Sequence, residues 1–197
     1  KCKLLLHTGW SEGWDITKLI SEKKINEDLV LTTYYCEECN NYKVQKFQGH
    51  SCDCDKCHTS GSLKTMDVSK GPSEKQLNEI YNILDVYCHP FTSGGQEIPI
   101  QEAKLAELPT LVTNYSCGED MCTEEAYSLP LEWTEYREPS THFIKASTCP
   151  DSIYSQLKKV YNMPKKESAE IGRKAREFVI KKYDQKVIGK KIEKMLL

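Results

Sequence analysis

At 197 residues, 39% apolar and 28% charged, the chain is long enough to bury one core and polar enough to stay dissolved. No run of 18 or more apolar residues occurs, which excludes a transmembrane helix. The net charge of −2 is unevenly spread: residues 151–197 hold 13 Lys/Arg against 6 Asp/Glu, which leaves −9 on the residues before them, and an acidic body argues against a nucleic-acid partner.

Residues 3–7 read as a short buried strand, and so abrupt a start at Lys1 reads as a domain belonging to a longer protein. No secretory signal is visible, so a cytoplasmic location is expected. Thr8, Gly9 and a loop follow, then a helix from 14 to about 23. Residues 28–35 are rich in β-branched and aromatic side chains and read as a second strand. Residues 36–61 are polar, Cys-rich and aperiodic and read as a loop insertion, followed by a third strand over 63–68. Ser73 and Gln76 form a capping box before Leu77, Ile80, Tyr81 and Leu84, which fall at helical spacing. A strand over 86–89, a Gly-containing loop over 90–96, a helix begun by Pro99 and a strand over 110–113 follow. Farther on, 119–127 reads as a short helix, 142–146 as the last strand, and 151–161, 166–182 and 184–197 as three helices. Alternating strands and helices predict one α/β domain, with a Rossmann-like, mostly parallel sheet covered by helices on both faces.

Five of the ten cysteines crowd into residues 36–57. Two close pairs, Cys36 with Cys39 and Cys54 with Cys57, suit tetrahedral zinc, which takes thiolate and imidazole ligands. Cys52, His50 and His58 are spare candidates. A four-ligand site leaves no open position and is structural. Disulfides, which need an oxidising compartment, and free thiols are the alternatives.

The segment from His89 to Glu102 carries a second kind of chemistry. A loop between the carboxyl end of a parallel strand and a helix start is where open α/β sheets bind ligands. Free N–H groups and the helix dipole there favour a phosphate, and Gly94 and Gly95 let the backbone approach it. One turn into the helix, Glu102 can accept hydrogen bonds from two ribose hydroxyls. Together these features suit a nucleoside diphosphate.

From Ser73 to Ser116 the chain resembles the donor-binding domain of group 1 (family four) glycosyltransferases of the GT-B architecture. The stretch His89-Pro-Phe-Thr-Ser-Gly-Gly-Gln-Glu-Ile-Pro-Ile-Gln-Glu-Ala103 resembles the family's donor loop and helix, and Leu111-Val-Thr-Asn114 the strand after it. The resemblance implies a nucleotide-sugar donor, transfer with retention, and a separate amino-terminal domain for the acceptor. It places donor contacts at His7, Gly9, Ser93, Gly94, Gly95, Gln96, Glu97, Ile98 and Glu102. The family pattern has two glutamates with seven residues between them; Glu102 matches the second, and Gly94 stands at the first. Glu97 is the catalytic candidate, reaching from the loop to replace the missing carboxylate. The family's diphosphate-binding Arg and Lys correspond by spacing to His7 and Glu12, so either backbone N–H groups carry more of the anion binding, or the correspondence at the amino end is displaced, or the site is degenerate. Two further functions fit the sequence: a non-catalytic nucleotide- or protein-binding module with a degenerate site, and one half of a GT-B nucleotide-sugar epimerase.

Overall fold

The computed structural model describes residues 2–10, 13–67 and 70–196, and the chain divides into two compact units, Lys1–Glu79 and Ile80–Leu197.

In the first unit β1 (Leu4–Leu6) and α1 (Ile16–Glu22) precede β2 (Val30–Cys36). The side chain of Asp15 caps α1 by accepting from the N–H of Lys18 at 2.9 Å. The helix closes through Lys24, whose φ of 52° lets Ile25 N–H reach the carbonyl of Ile20. Strands β3 (Tyr42–Lys46), β4 (Ser51–Cys52) and β5 (Leu63–Thr65) complete a five-stranded sheet. One edge of β2 pairs with β3, antiparallel from Leu31 to Tyr35. The other edge is shared: Val30, Leu31 and Thr32 pair with β1 in parallel, and Tyr34, Tyr35 and Cys36 pair with β5 antiparallel. Trp10 is buried against Ile20 and Val30, stacks on Phe47 at 3.8 Å, and donates its indole N–H to Thr32 Oγ1.

In the second unit β6 (Tyr87–His89), β7 (Thr110–Thr113) and β8 (Ser128–Leu131) form a parallel sheet in that spatial order. Helices α3 (Ile98–Leu105) and α4 (Gly118–Met121) provide the crossovers, after α2 (Glu74–Tyr81) leads into the unit. A hairpin of β9 (Trp133–Arg137) and β10 (Ile144–Thr148) follows, then α5 (Pro150–Asn162), α6 (Lys165–Tyr183) and α7 (Gln185–Leu196). Leu111 and Val112 are adjacent and fully buried but join different clusters. Val112 packs with Ile100, Met121, Phe178 and Val179, and Leu111 with Leu129, Leu131, Ile153 and Val160. Successive strand residues point to opposite faces, so this sheet is covered on both sides.

The chain is α/β, as expected, but the single parallel sheet is corrected. Strands of the described residues form three small sheets, and parallel pairing is confined to β1–β2 and β6–β7–β8. The cause is the segment after β2, which turns back as hairpins instead of crossing over through a helix. Residues 36–61 are therefore not a plain loop, since they contain β3 and β4. The first strand is less buried than expected, with Leu4 52% exposed, because β1 lies at the sheet edge. Strand β8 escaped the sequence reading because Pro130 interrupts its pattern; an edge strand tolerates that proline. The expected strand over 142–146 begins later, since His142 has a φ of 59°. The helix expected over 119–127 is split into α4 and a 3-10 turn, Glu124–Ala126. The end of the expected strand at Val68 lies outside the described residues. No helix among the described residues is long and apolar enough to cross a membrane.

Two close contacts hold α6 and α3 in place. A Cβ built at Gly172 would lie 1.8 Å from the carbonyl oxygen of Glu107, so α6 presses directly on the turn that ends α3. Backbone cannot retreat as a flexible side chain can, and Gly172→Ala should lower unfolding stability by about 2 kcal/mol in denaturant titration. The Lys104 ammonium, fully buried, donates to the carbonyls of Met121 and Ala126 and so ties α3 to the end of α4 and the turn after it. Burial pushes its pKa down to about 8 from the ordinary 10.5. Between those values the unfolded chain holds a proton that the folded chain has lost. Wild type should therefore gain on Lys104→Met by roughly 3 kcal/mol as pH rises from about 8 to 10.5, with no relative change below 8.

Candidate functional site

Strand β6 ends at His89, and α3 begins after Glu97, so residues 90–97 form the loop at the carboxyl end of a parallel strand. Three bonds set the loop's path. Phe91 N–H donates to Thr113 Oγ1 at 3.1 Å, Ala146 N–H donates to Thr92 O at 2.8 Å, and Ser116 Oγ donates to Gly94 O at 2.8 Å. Gly118 must be glycine, because a Cβ there would lie 2.2 Å from Thr113 O.

Glu97 occupies the cap position of α3, yet its side chain makes no cap hydrogen bond. The carboxylate turns instead to His89 Nε2, 3.1 Å away, and both side chains are largely shielded from solvent. It also fills the space above Gly94: an ideal Cβ on Gly94 would lie 2.2 Å from Glu97 Oε1. On its other side, His89 Nδ1 lies 3.0 Å from the hydroxyl of Tyr87, two residues back on the same face of β6. Tyr87 and Tyr81 meet edge to face with ring centroids 5.8 Å apart, and the Tyr81 hydroxyl donates to Glu102 Oε2 at 3.0 Å. Burial pushes the Tyr87 phenol up to about 12, and burial with neighbouring Tyr87 and Glu102 pushes Tyr81 higher still. Both phenols remain hydroxyl donors throughout the neutral range. One polar chain thus runs Glu97–His89–Tyr87–Tyr81–Glu102 and orients both carboxylates.

Five of the expected contact residues, Ser93, Gly94, Gly95, Gln96 and Glu97, are brought together on this loop, Ile98 opens α3, and Glu102 stands one turn into that helix. Ser93, Gly95, Gln96 and Ile98 are exposed. His7 and Gly9 belong to the first unit. His7 Nδ1 lies 3.1 Å from Thr33 Oγ1, and desolvation lowers its pKa, so at neutral pH it carries no charge for a phosphate even though part of the residue is exposed. Gly9 is buried. Glu12 lies outside the described residues. Sequence reasoning assigns no site role to Tyr81, Tyr87 or His89. The alternation Tyr87-Cys88-His89 was the available signal, because it puts the phenol and imidazole on one face. Gln101 Nε2 is buried with no hydrogen-bond partner among the described residues.

In the first unit the sulfurs of Cys36, Cys39, Cys54 and Cys57 lie within 4.8 Å of one another. Cys36 Sγ is 3.6 Å from Cys57 Sγ, and Cys39 Sγ is 3.7 Å from Cys54 Sγ. These separations are far longer than the disulfide bond of about 2.05 Å. The expected ligand set is the one assembled, and it could hold a metal such as zinc. The spare candidates Cys52, His50 and His58 are outside the set, although Cys52 packs against it.

No model of a known protein family matches the chain, nor does any curated protein or solved structure.

The Gly94–Glu97 overlap differs in kind from that at Gly172, because the obstructing atom is the free end of a side chain. Gly94→Ala should leave stability within about 0.5 kcal/mol. It should nevertheless displace the Glu97 carboxylate, visible as a shift of the His89 imidazole resonances in NMR spectra.

Proposed function

We propose that the second unit binds the nucleotide-sugar donor of a glycosyltransferase and belongs to a Rossmann-like half of a GT-B enzyme. The observation that carries this reading is the Glu97 carboxylate above Gly94. In the pattern of group 1 (family four) enzymes a glutamate belongs at position 94, eight residues before Glu102. Here the residue is glycine, and the side chain of Glu97 fills the volume into which a residue-94 side chain would project. The missing carboxylate is supplied from three residues along the chain.

The roles follow from the chemistry. Glu97, oriented by His89, accepts hydrogen bonds from sugar hydroxyls, and Glu102, oriented by Tyr81, accepts them from the ribose. The loop N–H groups and the first turn of α3 face the diphosphate, whose departing charge they stabilise. His7, uncharged at neutral pH, adds no cation, so backbone donors carry the anion binding. The acceptor belongs to a further amino-terminal domain, and the enzyme acts in the cytoplasm. Without the acceptor domain the chain binds donor but transfers little.

Calorimetric titration of the chain with UDP-, GDP-, ADP- and dTDP-glucose tests the reading. One of the four should bind, and Glu102→Ala should weaken it roughly 10- to 100-fold, the loss of charge-assisted hydrogen bonds to a diol. A folded chain that binds none of them refutes the proposal.

A further inference from the structure

The cysteine cluster lies outside that reading and has its own geometry. Its four sulfurs come from two Cys-x-x-Cys turns, one joining β2 to β3 and the other joining β4 to β5. The turns share almost no sequence between their cysteines, Glu37-Glu38 in one and Asp55-Lys56 in the other. Their backbones nevertheless repeat the same bonds. Cys36 N–H donates to Asn41 O at 2.7 Å, and Cys54 N–H to Thr59 O at 3.1 Å. Asn40 N–H donates to Cys36 O at 3.0 Å, and His58 N–H to Cys54 O at 2.9 Å. The residue after the second cysteine is left-handed in both, with φ of 55° at Asn40 and 60° at His58. In both, the N–H two residues beyond the second cysteine donates to its sulfur, Asn41 to Cys39 and Thr59 to Cys57.

Two unrelated tetrapeptides that fold alike and face each other answer to a common constraint. We infer that the two turns are paired knuckles around one tetrathiolate zinc ion, and that residues 36–62 hold their hairpin fold only when the metal is bound. Zinc–sulfur bonds of about 2.3 Å in a tetrahedron set sulfur–sulfur edges of about 3.8 Å. The Cys36–Cys57 and Cys39–Cys54 separations of 3.6 and 3.7 Å match that edge. The peptide N–H groups of Asn41 and Thr59 give the Cys39 and Cys57 sulfurs donors that suit thiolates. The dependence on metal follows from the core around them. Its fully buried side chains are Tyr34, Cys36, Cys54 and Leu63, and two of these four are ligands. So small an apolar cluster does not offset the entropy of ordering two hairpins, and coordination supplies the difference. Four protein ligands close the coordination sphere, so the ion is structural and activates no water.

The full chain, purified under reducing conditions, should contain one zinc per chain by elemental analysis. Replacement with Co(II) should give the visible absorption of a tetrahedral thiolate site. Cys39→Ser and Cys57→Ser should each reduce bound zinc to below about 0.1 per chain, while Cys52→Ser retains it. Chelation should abolish hydrogen-exchange protection over residues 31–65 and leave protection of β6, β7 and β8 in place, and added Zn(II) should restore it. Protection over 31–65 in a chain that neither contains nor takes up zinc overturns the inference. So does loss of metal in Cys52→Ser, or iron in place of zinc. Should the Cys→Ser chains fail to fold, the cobalt spectrum and the chelation experiment on wild type still decide the matter.

Discussion

Burial of β7 on both faces governs the second unit. All four residues of the strand are buried, and neighbouring Leu111 and Val112 serve opposite cores. A strand so enclosed must satisfy its backbone through its two neighbours, and β6 and β8 pair with it in parallel. The parallel register sets Tyr87 against Thr110 and His89 against Val112, and so decides where β6 stops and the loop begins. Thr113, at the end of β7, then accepts from Phe91 N–H, and its hydroxyl contacts that of Thr148 on β10 at 2.7 Å. The loop geometry is therefore a consequence of core packing.

That arrangement explains how the side chain at a cap position comes to leave its own helix. An N-cap side chain ordinarily folds back on its own helix. Glu97 is drawn to His89, and the two tyrosines below complete a chain of polar contacts along the strand end. Such networks, when their members are satisfied, hold groups more rigidly than solvent-exposed side chains could.

The first unit is built on another principle. Its apolar packing is concentrated around Trp10, Phe47, Ile20 and Val30, at the end of β2 where β1 is paired. Toward Cys36 the same strand enters a region poor in apolar side chains and rich in thiols. The surface lysines there form exposed ion pairs, Lys43 with Asp55 and Lys64 and Lys70 with Glu37, and such pairs contribute at most about 1 kcal/mol each. Weak surface pairing and a small core leave the sulfur cluster as the feature able to order both hairpins.

The sequence by itself determined much of this. Capping residues, helical spacing and strand-forming runs located the helices of both units, apart from the split of α4, and strands β2, β6 and β7, because those signals act between residues close in the chain. Cysteine spacing was enough to identify the four sulfurs, since two short turns can each present a pair. What tertiary structure alone decided was partnership. The hairpins β3 and β4 were hidden in a polar stretch such as Tyr42-Lys-Val-Gln-Lys46, which becomes a strand only when β2 offers it an edge. β8 was hidden behind Pro130 and needed its position at a sheet edge to be tolerated. The union of Glu97 with His89, Tyr87, Tyr81 and Glu102 joins residues up to 21 positions apart through the path of a strand, a loop and a helix. Hydrogen bonds of that reach depend on where the core places the backbone, which no local pattern encodes.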